Sequence, residues 1–341
     1  MITNRQRNLI VIVCSNSLFF GFGYSLIFKS TSNNSWICSL IAGIFGIIFT
    51  LILKRIMNNK KTINNYLNKN ILLKTIIKAF FAIINITIIF INLFIIKEFI
   101  KTFFLINMPS IIISIPILFL ILLISHKDFK TLSYLYECLV PISLTLIFFI
   151  ILSLIFKCDF SNLKPYFSSN TISMIKSIFY YFTLSTSPLI ILYDIDLKDN
   201  NISNIYLFNI LLITTLSVLI SGILGNYLIK IYTFLEYTII KDIQIFNFIE
   251  KIENILSLSW VINSFLIIFL SSISLKKNIF KKYNNYIFVF IILAILIVVN
   301  TILDNSYFNY LYLYIPYIIG IISLLTLSIL YILYLKLNKR K

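Results

Sequence analysis

The chain has 341 residues, 60% of them hydrophobic and 12% charged, with 32 Phe and 21 Tyr and a mean hydropathy of +0.97. A soluble domain carries about 45–50% apolar and about 25% charged residues, so a water-soluble enzyme is excluded and an integral membrane protein is indicated. The net charge of +17, from 29 Lys and Arg against 12 Asp and Glu, gathers between apolar runs, where it sets topology and meets anionic headgroups; nucleic acid is not an expected partner.

Ten apolar runs follow one another along the chain. The first five are Asn8–Phe28, Trp36–Leu53, Ala79–Ile96, Ile106–Ser125 and Leu139–Phe156. The second five are Ser177–Tyr193, Ile205–Gly225, Ile255–Leu275, Tyr286–Leu303 and Leu311–Leu335. With flanking residues each can cross ~30 Å of hydrocarbon at ~1.5 Å per residue. The alternation of a barrel strand is absent, so helices are predicted. The first run lacks a small-residue cleavage site and reads as a retained span, with no signal peptide. Placing the N-terminus inside puts 20 Lys and Arg on inner segments and 9 on outer ones, so both termini are expected to be cytoplasmic.

Ten spans divide into 8–156 and 177–335. Five is odd, so the second set starts on the opposite side and any repeat is inverted, a recurring transporter plan. The expected fold is all-α integral membrane: one polytopic domain over 1–341, with ten transmembrane helices in a five-plus-five inverted repeat and helices 1 and 6 broken.

The first span of each half carries the helix-breaking residues. Span 1 has Ser15-Asn16-Ser17 followed by Gly21-Phe22-Gly23, and span 6 has Ser185-Thr186-Ser187-Pro188. Glycine weakens a helix, and proline removes a donor and clashes with the preceding turn. Paired interruptions would leave peptide groups and helix ends aimed at a solute near the midplane. The alternative reading is that the glycines allow close helix packing and Pro188 is a tolerated kink. Gly43 and Gly46 read as a packing face, and Pro116, Pro141 and Pro316 as kinks.

Ionisable residues are sparse within the spans. Lys97, Glu98, Lys101 and Glu137 sit near span ends, where snorkelling or local pairing is expected. His126 reads as loop decoration, and no cluster suited to acid–base catalysis is present. The four cysteines lack CxxC spacing, so neither a metal nor another cofactor is expected. Ile239, Ile243, Phe246, Ile249 and Ile252 form an apolar stripe, an amphipathic helix of about four turns that either lies on the membrane surface or caps an outer cavity. Tyr307, Tyr310, Tyr312 and Tyr314 read as an interfacial belt.

Phe248-Ile249-Glu250-Lys251-Ile252-Glu253, with Trp260 seven residues on, resembles the spore germination permease family, the B subunits of nutrient germinant receptors. Trp36-Ile37 and Leu163-Lys164-Pro165 resemble it too, as do the length and the ten-span plan. The sequence departs from that pattern in Lys251 for arginine, in the missing proline near Tyr237-Thr238, and in Ser-Thr-Ser-Pro for a glycine-containing stretch. That family is similar to amino acid–polyamine–organocation transporters. The resemblance implies a site for a small germinant, an amino acid above all, around Gly21, Phe22, Gly23, Ser185, Thr186 and Ser187. It also implies a larger A-type membrane subunit and a C-type lipoprotein as partners, residence in the inner spore membrane, and a lid role for the amphipathic helix. The alternative is a secondary active transporter of amino acids or polyamines.

Overall fold

The computed structural model describes residues 2–19, 23–106, 108–125, 127–166, 169–194, 201–241, 252–279, 285–301 and 308–338. Among the described residues there is no β-strand. The expected first span is two helices, α1 (Asn4–Asn16) and α2 (Tyr24–Thr31). Thr3 starts α1 with a capping box, its hydroxyl accepting from the Gln6 N–H while the Gln6 side chain accepts from the Thr3 N–H. After α2 the chain turns at Ser32, whose φ is +49°, and enters α3 (Ser35–Asn58). Next come the basic amphipathic α4 (Lys60–Lys69), the long α5 (Ile71–Phe103), α6 (Ser110–Ser125) and α7 (Phe129–Ile155).

The second half begins with α8 (Thr171–Thr186), which passes directly into a 3-10 segment, Ser187–Asp194. It continues with α9 (Ile202–Ile231), the short α10 (Leu235–Lys241), α11 (Ile252–Ile279), α12 (Asn285–Thr301) and α13 (Phe308–Asn338). Among the described residues, seven helical stretches are long and apolar enough to cross a membrane, against ten predicted spans. Among the described residues, span 1 falls on 13-residue α1 and 8-residue α2, span 4 on 16-residue α6, and span 9 on α12, which is bounded on both sides by residues outside the described set. An isolated span needs ~20 residues.

Packing follows residue size and polarity. α3 turns Gly43 and Gly46 toward α9, where Ile210 and the Tyr206 hydroxyl occupy the space a Cβ would need. Its opposite face leaves Ile44, Phe45 and Ile48 half or more exposed, as suits contact with lipid. Close approach through small residues is the usual route to helix association where burial of apolar surface gives little drive. The most extensive pairings are α5 with α11 and α3 with α9, and α1 is enclosed by α7, α8, α9 and α11.

The sparse charges are paired locally. Lys97 is fully buried rather than snorkelling: its ammonium lies 3.1 Å from Glu98 and donates to the Val299 carbonyl of α12 at 3.0 Å. Glu137, on α7, accepts from Gln6 Nε2 at 2.9 Å and lies 3.9 Å from Arg5, joining α7 to the start of α1. The expected four-turn amphipathic helix is described only as α10 and the start of α11, since residues 242–251 lie outside the described residues. Ile239 and Ile240 of α10 are buried, and α10 packs against α2, α7, α9 and α11, so the apolar side chains of this part meet protein. His126 and Tyr307 also lie outside the described residues.

Candidate functional site

Helix α1 stops where its polar residues begin. The Ser17 N–H still reaches the Val13 carbonyl at 2.9 Å, and the next described α-helix, α2, begins at Tyr24. Gly21 and Phe22 lie outside the described residues. Gly23 has ordinary right-handed backbone angles (φ −61°, ψ −46°), so conformational freedom is not its role. Space is: a Cβ there would stand 2.7 Å from the Leu18 carbonyl oxygen and 3.1 Å from Leu184 Cδ1. Phe19 closes the same junction, stacking on Tyr181 of α8 at 5.5 Å between ring centroids. The start of α2 and the end of α8 are thus pressed together, which brings the two expected interruptions side by side.

The end of α1 is held from α9. Asn16 Nδ2 donates to Asn209 Oδ1 at 2.6 Å, and Asn209 Nδ2 donates to the Ile12 carbonyl at 3.0 Å and to Ser15 Oγ. This asparagine ties the last turn of α1 to α9 through the side chains of Ser15 and Asn16 and the Ile12 carbonyl. Asn16 Oδ1 and Ser17 Oγ are buried and have no hydrogen-bond partner among the described residues. The sequence reading marked Asn16 and Ser17 but missed Asn209; a lone Asn in the middle of the apolar run 205–225 was the available signal.

The second interruption is a change of helix type. After Thr186 the i→i+4 pattern gives way to the tighter 3-10 pattern over eight residues. Pro188 lies at the second position, where its missing N–H can no longer serve an α-helical bond. The three candidate hydroxyls separate in role. Ser185 Oγ lies 2.7 Å from the buried Tyr206 hydroxyl of α9, and Thr186 Oγ1 donates back to the Phe182 carbonyl at 2.6 Å. Ser187 Oγ is buried and has no hydrogen-bond partner among the described residues. Ser185 and Thr186 therefore serve the scaffold, while Ser187 presents an unused hydroxyl at the break.

These groups are hydroxyls, amides and peptide dipoles. They can bind a small polar solute by hydrogen bonds, at positions shielded from bulk water where each bond counts for more. Among the described residues, no group of three or more His, Cys, Asp or Glu is arranged to hold a metal ion, and all four cysteines are free. Trp260 of the family-like motif is buried on α11, its ring centroid 4.1 Å from that of Phe99 on α5. A family model described as a spore germination protein matches residues 6–309, well over half of the chain. No curated protein matches it.

Proposed function

The chain belongs to the spore germination protein family, and from that premise we propose that this multi-pass membrane protein is the germinant-sensing, transporter-like subunit of a spore germinant receptor. A small nutrient, an amino acid above all, binds between the two interruptions, lined by Gly21, Phe22 and Gly23 on one side and Ser185, Thr186 and Ser187 on the other. The observation that carries this reading is that Asn16 Oδ1, Ser17 Oγ and Ser187 Oγ are buried, at the end of α1 and the end of α8, without partners among the described residues. Leaving such a group unsatisfied costs roughly 1–3 kcal/mol, and a polar ligand that bonds to them recovers that cost.

The architecture behind the site is a ten-span bundle built as an inverted repeat. The pairings of α3 with α9 and α5 with α11 support it, since they join span 2 to span 7 and span 3 to span 8. A two-fold relation between halves brings corresponding spans together in this way. Ligand binding favours one of two arrangements of the bundle, and the shift passes to an A-type membrane subunit and a C-type lipoprotein in the inner spore membrane. The same broken-helix architecture suits a second reading, secondary transport of amino acids or polyamines.

Two measurements separate them. Gene deletion abolishes nutrient-triggered germination, and the purified chain in proteoliposomes takes up no radiolabelled amino acid, if it is a receptor. Robust uptake by the isolated chain overturns the receptor reading.

A further inference from the structure

Residues 54–78 hold seven Lys and Arg and no Asp or Glu. The stretch folds as the end of α3, the short helix α4 and the start of α5. On α4, Ile63 and Leu67 stand one turn apart and are buried, and the helix packs against α5 and α13. Lys61, Asn68 and Lys69 are left exposed. The last turns of α13 reach the same place, where Lys336 donates to the Tyr66 hydroxyl at 3.5 Å and lies 5.7 Å from the centre of its ring.

Three long helices change character at this level. On α3 the exposed residues Ile44, Ile48 and Leu51 follow one another along one helix face, and that face ends at exposed Arg55. On α5 the order is reversed: Lys69, just before it, is followed by Leu72 and Ile76, 81% and 42% exposed. On α13 exposed Ile332 and Leu335 come just before exposed Lys336. A bare aliphatic stripe that ends in a cation matches a phospholipid, with acyl chains along the stripe and phosphate at the cation. A soluble acidic protein would meet the cations but would leave Leu72 beside them in water.

We propose that α4, with the adjoining ends of α3, α5 and α13, is a binding site for the headgroup of an anionic phospholipid, with Arg55, Lys61, Lys69 and Lys336 supplying the positive charge. The site is separate from the two helix breaks and stands whether or not a nutrient binds there. It nevertheless touches one of them. The hydroxyl of Tyr193, near the end of the 3-10 segment that follows α8, donates to Asn64 Oδ1 of α4 at 2.9 Å, and Lys60 Nζ lies 5.5 Å from the centre of the Tyr193 ring. A headgroup held on α4 therefore bears on the segment that Ser187 begins.

The test uses the purified full chain. In mixed micelles holding equal amounts of phosphatidylcholine and phosphatidylglycerol, native mass spectrometry reads which lipid stays bound. The wild type retains phosphatidylglycerol in preference. Lys61→Gln/Lys69→Gln/Lys336→Gln lowers that preference several-fold, whereas Lys127→Gln/Lys130→Gln, beside the start of α7, leaves it in place. In nanodiscs, hydrogen exchange over residues 187–193 slows when phosphatidylglycerol replaces part of the phosphatidylcholine, and Tyr193→Phe removes that slowing while keeping the lipid preference. No preference in the wild type overturns the proposal, as does an equal loss in the two multiple variants. A thermal midpoint raised by polyglutamate in phosphatidylcholine nanodiscs, with no preference for phosphatidylglycerol, assigns the face to an acidic protein and overturns it too. A midpoint raised as far by inorganic phosphate as by phosphatidylglycerol assigns it to the free anion, with the same consequence. Exchange over 187–193 that ignores the lipid overturns the link to the 3-10 segment.

Discussion

Ser185, Thr186 and Ser187 are adjacent and chemically alike, yet they meet different surroundings. Ser185 is tied to Tyr206 and Thr186 to its own helix, while Ser187 Oγ has no hydrogen-bond partner among the described residues. Replacing Ser185 with Ala, or Tyr206 with Phe, should cost about 1 kcal/mol of stability, the usual net value of one hydrogen bond. Ser187→Ala should leave the thermal midpoint unchanged or slightly higher and weaken the nutrient response. Melting of the purified variants and the fall in optical density of variant spores after nutrient addition check the two halves of this prediction. Gly23→Leu should abolish the response while the protein still reaches the membrane, because a side chain there collides with the Leu18 carbonyl; an unchanged response removes Gly23 from the site. The sequence revealed that hydroxyls cluster here. It could not separate them, because their roles depend on where α-helix becomes 3-10 helix and on a tyrosine 21 residues away.

At the scale of the element, α1 and α9 are joined by amide groups. Asn209→Leu removes the partner of Asn16 Nδ2 and of the Ile12 carbonyl, and should cost roughly 2 kcal/mol, within the range of about 1–3 kcal/mol for stranded buried polar groups. Thermal unfolding in detergent reads this directly, and an unaffected midpoint would mean that the α1–α9 tie contributes nothing. By contrast, Glu137→Gln should shift stability by well under about 1 kcal/mol, because Arg5 is largely exposed and such pairs are weak. The change from α-helix to 3-10 helix at the end of α8 falls beside Pro188, which the sequence marked; of the span 1 glycines, Gly21 lies outside the described residues and Gly23 has ordinary helical angles. Asn209 was not assigned a part, because a polar residue in an apolar run carries no record of which helix it faces. Of the stripe from Ile239 to Ile252, Ile239 lies on α10 and is buried, while Ile243, Phe246 and Ile249 lie outside the described residues; the pattern alone could not distinguish lipid from protein as the apolar neighbour of Ile239.

For the whole molecule, composition was enough to fix the membrane class, and among the described residues each apolar run falls largely on helix. Their lengths were less legible. Among the described residues, seven helical stretches are long and apolar enough to cross a membrane, and hydropathy cannot show that one run is divided between two short helices. The pairing of distant spans was hidden as well, because contacts between α5 and α11 join residues far apart in sequence. The charge asymmetry of 20 against 9 predicts that a reporter fused at Lys341 reports a cytoplasmic end, and that one at Met1 reports the same side. An external signal from either overturns the topology.

The central claim is that the two helix interruptions bind a small amino acid through otherwise unpartnered buried groups. Its most direct test is equilibrium binding of the radiolabelled proteinogenic amino acids, each in turn, to the purified wild-type chain and to the Ser17→Ala/Ser187→Ala double variant. At least one should bind the wild type saturably, with affinity falling about ten-fold or more in the double variant, as expected for two lost hydrogen bonds. The thermal midpoint should not fall. Equal affinity in both proteins, or no saturable binding to the wild type, would contradict the account.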